Sequence, residues 1–286
     1  MQSVGRHRWI ALAAVVVAVV LVVVVVQRVG PTSDDTTTPP VPSVSPSVDP
    51  SADPTAALPL AGRVVVVDPG HQLGNGRQSR LVNQLVDAGG GLRKPCNSTG
   101  TASDDGLPEA TVNFAVAQRL VARLEQLGAT VELTRTTNSA EESGPCVDAR
   151  GRAGRPGADL LVSLHADGAA ASDRGFHVIA PGPLTGDGPS RTDVLLPEAA
   201  ALASTLRDEL LAAGFPTAPY VEGGLDERSD LGTLNLSQVP AAMVEMGNLR
   251  NADDAALLGS EEGQQAYADA IASGVVAWVG ADRPSR

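Results

Sequence analysis

Four histidines occur in this 286-residue chain, and two stand where side chains can do chemistry. His71 follows Val64-Val65-Val66-Val67-Asp68-Pro69-Gly70. The four β-branched residues make a strand suited to burial on both faces, and Asp-Pro-Gly stops it. His165 follows a second apolar run, Leu160-Leu161-Val162-Ser163-Leu164, and Glu245 interrupts a third, Ala241-Ala242-Met243-Val244-Glu245-Met246. A carboxylate inside an apolar strand is costly unless it is paired or used. Glu109 is a first-turn acid in a helix that Pro108 opens.

Ligands of open α/β sheets sit outside the carboxyl ends of the strands. If these strands are neighbours, all four residues face one cleft. Two imidazoles and a carboxylate are a set that zinc takes in catalytic sites, keeping a position for a water whose pKa drops to about 7. A carboxylate held off the metal takes that water's proton and passes it to a leaving amine. The expected division has His71, Glu109 and His165 holding one zinc ion, with Glu245 as base and acid. Each residue alone also has a plainer reading. Glu109 complements the helix dipole, and His165 or His71 merely ends a strand. His177, in Gly175-Phe176-His177-Val178-Ile179, reads as a structural mid-strand residue, and His7 belongs to the N-terminal segment.

The elements that must position these residues alternate along the chain. A helix is expected from Pro108 to about Leu127, closed by Gly128, with Val112, Val116, Leu120, Leu124 and Leu127 on one face. Strands are expected at 130–133, 159–164, 175–180 and 240–246, and helices at 198–213 and 261–279. The stretch from Gln72 to Gly106 is Gly-rich and reads as irregular. The pattern predicts an α/β fold: a single domain with a twisted, mostly parallel or mixed sheet and helices on both faces. No phosphate-loop signature and no internal repeat is present.

Ahead of that domain, Arg6, His7 and Arg8 precede an uncharged run from Trp9 to Val26. Such a run spans roughly 27 Å as a helix, close to a bilayer core. It reads as an export segment within residues 1–30, its basic flank staying cytoplasmic. A cleaved signal peptide and an uncleaved anchor both fit. The length of the run and the lack of an Ala-x-Ala site after Val26 favour the anchor, and with it attachment to the membrane. Residues 31–60 are rich in Pro, Ser, Thr and Asp and read as a disordered linker. The folded domain is expected over 61–286. An exported chain with just two cysteines is expected to bridge them. Joining Cys96 to Cys146 closes a loop of about 50 residues, worth ~4 kcal/mol on the chain-entropy account. The net charge of −12 excludes nucleic acid as a natural partner, because phosphate neutralisation needs a basic face.

At these residues the chain resembles the zinc-dependent N-acetylmuramoyl-L-alanine amidases, the family called amidase type 3. Val66-Val67-Asp68-Pro69-Gly70-His71 is similar to its first strand and ligand, and Glu109 in Leu107-Pro108-Glu109-Ala110-Thr111-Val112-Asn113 to its helix-borne glutamate. Leu161-Val162-Ser163-Leu164-His165-Ala166-Asp167 resembles the second histidine motif. Pro240–Asn251 resembles the closing segment with the catalytic glutamate, Glu245. Leu133-Thr134-Arg135 and Asp148-Ala149-Arg150 also fall where the family has arginine-bearing elements. Gln72 departs from the family's usual glycine, which puts the local turn in question.

The resemblance implies hydrolysis of the amide between the lactyl group of N-acetylmuramic acid and L-alanine. The substrate is then peptidoglycan or its muropeptide fragments, outside the cytoplasmic membrane. No separate wall-binding domain is read, so engagement falls to the catalytic domain, the tether or a partner. A zinc carboxypeptidase or endopeptidase on the stem peptide is the competing enzyme reading, because the same ligands serve either amide. A silent wall-binding regulator on the same fold is the competing non-enzymatic one, against which the intact set of four residues argues.

Overall fold

The β-branched run does form a strand, β1 (Val64–Pro69). It lies in a computed structural model that describes residues 57–184 and 192–281. After it come a 3-10 turn at Leu73–Arg77, a short helix α1 (Ser79–Val82) and a hairpin of β2 (Leu85–Asp87) and β3 (Arg93–Pro95). Helix α2 (Glu109–Gln126), β4 (Thr130–Leu133), α3 (Val147–Ala153), β5 (Leu160–Asp167) and β6 (His177–Pro181) follow. The described chain ends with α4 (Thr192–Ala212), β7 (Leu225–Arg228), α5 (Gly232–Asn235), β8 (Ala241–Asn248), α6 (Ala252–Gly259) and α7 (Glu261–Gly280).

Six strands form the main sheet in the order β4-β1-β5-β8-β6-β7. The first four run parallel, whereas β6 lies antiparallel to β8 and parallel to β7. The mixed sheet and its helices on both faces agree with the expected fold class. Period-two alternation sorts the side chains. Val65, Val67, Leu160, Val162, Leu164, Ala242, Val244 and Met246 face a large core built with α2, α4 and α7. Val66, Leu161, Ile179, Ala241 and Met243 face a smaller core that includes Leu234 of α5. The two faces are unequally covered, since α3 and α5 are only one or two turns long. Asp68, Ser163, His165, His177 and Glu245 continue the alternation on this thinly covered side.

Several expectations change in detail. The helix read from Glu198 begins at Thr192 and carries Pro197 inside it, which removes a single N–H donor near its start. The irregular stretch at 72–106 contains the 3-10 turn, α1 and the hairpin, elements too short to show a period in sequence. Gln72 is extended (φ −163°) and caps the 3-10 turn by accepting from Leu73 N. The expected membrane segment Trp9–Val26 and residues 31–56 of the expected linker 31–60 lie outside the described residues. Leu60, at the end of that linker, is buried in the large core and donates its N–H to Leu127 O at 2.9 Å, so the fold starts a few residues earlier than expected. Among the described residues no helix is long and apolar enough to cross a membrane.

The turn leaving β1 is gripped by two buried arginines. Arg150 pairs with Asp68 at 2.6 Å, with side chains 2% and 0% exposed. Arg150 also donates to Pro69 O at 2.7 Å and His71 O at 2.5 Å. Arg135 donates to Pro69 O at 2.9 Å, Gly70 O at 3.2 Å and Ala110 O at 2.8 Å, tying the turn to α2. Asp68 is completed by the hydroxyls of Ser163, at 2.6 Å, and Thr134. Burial alone would raise the Asp68 carboxyl, but Arg150 and the two hydroxyls outweigh it and lower its pKa.

Cys96 and Cys146 form a disulfide with Cα atoms 4.3 Å apart, as expected for an exported chain. Beside it Val147 N donates to Cys96 O at 2.7 Å, and Asn97 Nδ2 donates to Pro145 O at 2.8 Å. The bridge therefore fastens the loop after β3 to the start of α3.

Two stability predictions follow from these ties. Asp68→Ala strands Arg150 as a buried unpaired charge and should cost about 3–5 kcal/mol in denaturant unfolding. The native pair's contribution is complete above the unfolded carboxyl value of ~3.9 and is lost as pH falls through the lower folded value, so the variant should show a flatter acid limb. The double variant Cys96→Ser/Cys146→Ser should lose about 2–4 kcal/mol. Metal analysis of that variant should show the same content as the native chain.

Candidate active site

His71 is delivered by the clamped turn in a left-handed backbone conformation (φ 59°), which non-glycine residues rarely adopt. The carbonyls fixed by Arg135 and Arg150 hold it there. Its ring Nδ1 lies 3.1 Å from Ser98 O, an acceptor that assigns the proton to Nδ1 and leaves Nε2 free as a ligand atom. Ser98 sits two residues beyond Cys96, so the disulfide-fastened loop orients this imidazole.

Glu109 enters from the first turn of α2. Its Oε1 lies 3.1 Å from His71 Nε2 and 2.9 Å from His165 Nδ1. Asn113 Nδ2, one helical turn on, donates to Oε1 at 3.2 Å, and Thr101 N donates to Oε2 at 2.9 Å. Burial would raise this carboxyl, but hydrogen bonds to His165 and His71 hold it well below the usual carboxylate range. His165 moves down, mainly through burial, with Glu109 opposing. The two imidazole rings meet edge to face with centroids 4.7 Å apart.

The donor set fits one cation. Ligand atoms of His71, Glu109 and His165 all lie within 4.8 Å of one another. Zinc bonds of about 2.0–2.1 Å in a tetrahedron would set donors roughly 3.3 Å apart, close to the two carboxylate–imidazole spacings. Glycines shape the walls. A Cβ at Gly70 would fall 2.3 Å from His165 Cε1, and one at Gly100, where φ is +75°, would fall 2.6 Å from Glu109 Oε2.

Glu245 stands opposite His165 in the parallel register of β5 and β8. On its other side the antiparallel register of β8 and β6 sets it opposite His177. All three point to the thinly covered face. The Glu245 Oε2 atom is buried with no hydrogen-bond partner among the described residues, and so is His177 Nδ1. Burial raises the Glu245 carboxyl well above its ordinary range, with Glu109 and Asp167 adding and Arg228 opposing. His177 is therefore buried, but it opens β6 rather than lying mid-strand as expected, and it is a register neighbour of Glu245. Alternation along β6 carries that signal once the antiparallel register with β8 is known.

His71, His165 and Glu245 line a cavity of about 380 Å³ with Lys94, Asn97, Ser98, Val147, Asp230, Leu231 and Met243. The stretch after His71 thus borders the cleft. Sequence reasoning singled out neither Ser98 nor Lys94 and Asp230, because each reaches the site through a loop or edge strand with no periodic pattern.

The N-acetylmuramoyl-L-alanine amidase family matches residues 65–277. The N-acetylmuramoyl-L-alanine amidase Rv3717 of Mycobacterium tuberculosis is 40% identical over 231 residues, covering 79% of this chain and 90% of its own. Among solved structures, the N-acetylmuramyl-L-alanine amidase Ami1 of Mycobacterium smegmatis superposes with a TM-score of 0.71 at 37% identity, covering 78% of this chain and 99% of its own. Ami1 of Mycobacterium abscessus, in its apo form, gives 0.69 at 39% identity, covering 77% and 100%. A match over nearly the whole described region, including every residue assembled above, means that this chain belongs to the N-acetylmuramoyl-L-alanine amidase family.

Proposed function

We propose that the chain hydrolyses the amide bond between the lactyl group of N-acetylmuramic acid and L-alanine in peptidoglycan. The observation that carries this reading is one carboxylate oxygen of Glu109 between two imidazoles, with Glu245 across the strand from His165. In this reading His71, Glu109 and His165 hold a single zinc ion. Such an ion, when bound, supplies a Lewis acid for the scissile carbonyl and acidifies water.

The remaining steps belong to the chain. Glu245 accepts a proton from the attacking water, whose oxygen bonds to the carbonyl carbon. The C–N bond breaks, and Glu245 returns the proton to the leaving amine of L-alanine. A raised carboxyl pKa suits both halves of this transfer, since a base works best near the ambient pH. Burial and Asp167 raise the Glu245 carboxyl independently of Glu109, whose own contribution would be offset by an ion held there. Ser98 holds His71 in its tautomer, and Asn113 with Thr101 N keeps Glu109 from rotating.

Peptidoglycan lies outside the cytoplasmic membrane, so this reading requires export. We assign residues 1–30 as the export segment, the stretch from 31 to just before the buried Leu60 as a tether, and the remainder to 286 as the catalytic domain. The run Trp9–Val26 serves as an uncleaved anchor in this layout.

Two experiments test the reading. Purified muropeptides should yield stem peptides with a free L-alanine amine and an intact muramic carboxylate. Release of terminal residues alone would instead identify a carboxypeptidase. Glu245→Gln should lower kcat by at least about 100-fold while metal content is unchanged, whereas Glu109→Gln should lose the metal. Full activity of Glu245→Gln would remove it from the base role.

A further inference from the structure

Lys94 is the chain's only lysine, in a protein of net charge −12, and it stands in β3 on the wall of the catalytic cavity. Its Nζ lies 2.8 Å from Asp230 Oδ2. Asp230 is already gripped through both oxygens by Arg228, whose Nε and Nη2 each donate at 2.9 Å. Together the two cations hold the Asp230 carboxyl far below its ordinary range, so it stays ionised. One anion is thus shared by two cations. An ammonium group carries three donors, so Lys94 keeps two beyond the one given to Asp230. The Lys94 side chain is 38% exposed, enough for a ligand to reach those donors.

The other basic side chain of the cavity wall is spoken for. Arg150 is buried and committed to Asp68, Pro69 O, His71 O and Pro145 O. Val147, Leu231 and Met243 supply apolar wall in the same cavity, suited to the methyl group of an alanine. A peptide that places its alanine there, with its amide at Glu245, presents its next residue to the same small space. In a peptidoglycan stem that residue is a glutamate linked through its γ-carboxyl, which leaves its α-carboxylate free.

We propose that Lys94 is a specificity residue that receives this free α-carboxylate, so that the enzyme prefers stems whose second residue is the acid over those in which it is amidated. The inference rests on the amidase reading of the site. Asp230 and Arg228 position the lysine: Asp230 draws its ammonium to the wall, and Arg228 takes up most of the Asp230 charge. A charge-assisted contact of this kind is stronger than a neutral one and is lost when the carboxylate becomes an amide.

The test uses two substrates that differ in that one group, N-acetylmuramoyl-L-alanyl-D-isoglutamate and N-acetylmuramoyl-L-alanyl-D-isoglutamine. The quantity read is the ratio of kcat/KM for the acid over the amide. The native chain should favour the acid. Lys94→Met should lower the ratio about tenfold, equivalent to about 1.4 kcal/mol, with the change in KM for the acid. Lys94→Arg should keep most of the native ratio, and Asp230→Asn, which frees Lys94 from the wall, should lower it less than Lys94→Met does. A ratio for Lys94→Met within about twofold of the native value overturns the proposal, as does an equal loss on both substrates. Failure of the native chain to cleave either substrate would instead sink the amidase reading.

Discussion

The ion pair between Asp68 and Arg150 is the constraint on which the site depends. It is buried, so neither partner can be removed without leaving a charge in a low-dielectric interior. Arg150 spends its remaining donors on the carbonyls of Pro69 and His71, and Arg135 takes those of Pro69 and Gly70. A turn that Asp-Pro-Gly would merely permit is thereby fixed to one shape. His71 pays for that shape with a positive φ, an uncommon backbone conformation for a residue with a side chain. The same Arg135 also reaches Ala110 O, so the turn and the helix carrying Glu109 are set by one guanidinium. Two candidate ligands from separate elements therefore share a single reference frame.

Unequal covering of the sheet explains where the cleft lies. Long helices bury one face completely, while α3 and α5 cover only part of the other. The strands pass through that smaller core with Val66, Leu161 and Met243 and then switch to Asp68, Ser163, His165 and Glu245 toward the open end. Burial and polarity thus change along the same strands within a few residues. That gradient gives Glu245 its raised carboxyl and Asp68 its lowered one: Asp68 is fully buried and Glu245 half-buried with Oε2 enclosed, but only Asp68 is hydrogen-bonded by an arginine and two hydroxyls.

Much of this was legible in the sequence because strand ends and apolar runs announce themselves. Val64–Val67, Leu160–Leu164 and Ala241–Val244 each read as buried strands, and the polar residue at each end became a site residue. Helix α2 was readable from its apolar face and from Pro108 and Gly128, the latter taking the left-handed conformation (φ 97°) that ends a helix. The opposite direction of β6 was not readable, because period-two alternation is the same in parallel and antiparallel strands. His177 therefore read as an ordinary core residue, and its position beside Glu245 needed the register. Arg135 and Arg150 carried no local signal of burial, since arginine in a short loop or helix usually faces water. The hairpin was hidden because its strands are only three residues long, and the Lys94–Asp230 pair because it joins residues 136 apart in sequence.

Three of the buried polar atoms that lack a hydrogen bond lie at or beside the candidate site. Asn113 Oδ1, His177 Nδ1 and Glu245 Oε2 are all buried without hydrogen-bond partners among the described residues; Asn113 lies beside Glu109, and His177 beside Glu245. Each such atom costs on the order of 1–3 kcal/mol relative to a satisfied one. Other buried carboxylates are well paired: Asp68 with an arginine and two hydroxyls, and Asp254 with the backbone of Gly175 and Asn248, although Arg174 Nε beside Asp254 makes an ion pair at 3.4 Å and no hydrogen bond. A fold that can satisfy Asp254 so fully is not short of donors. The deficit at the site includes the carboxylate proposed as the base, a role that requires an oxygen not already engaged. Pairing Glu245 fully would stabilise the chain and would also lower the basicity that the proposed proton transfer uses. The unsatisfied atoms are in that sense the counterpart of the clamp: the clamp fixes the candidate ligands, and the deficit leaves the proposed base an unengaged oxygen.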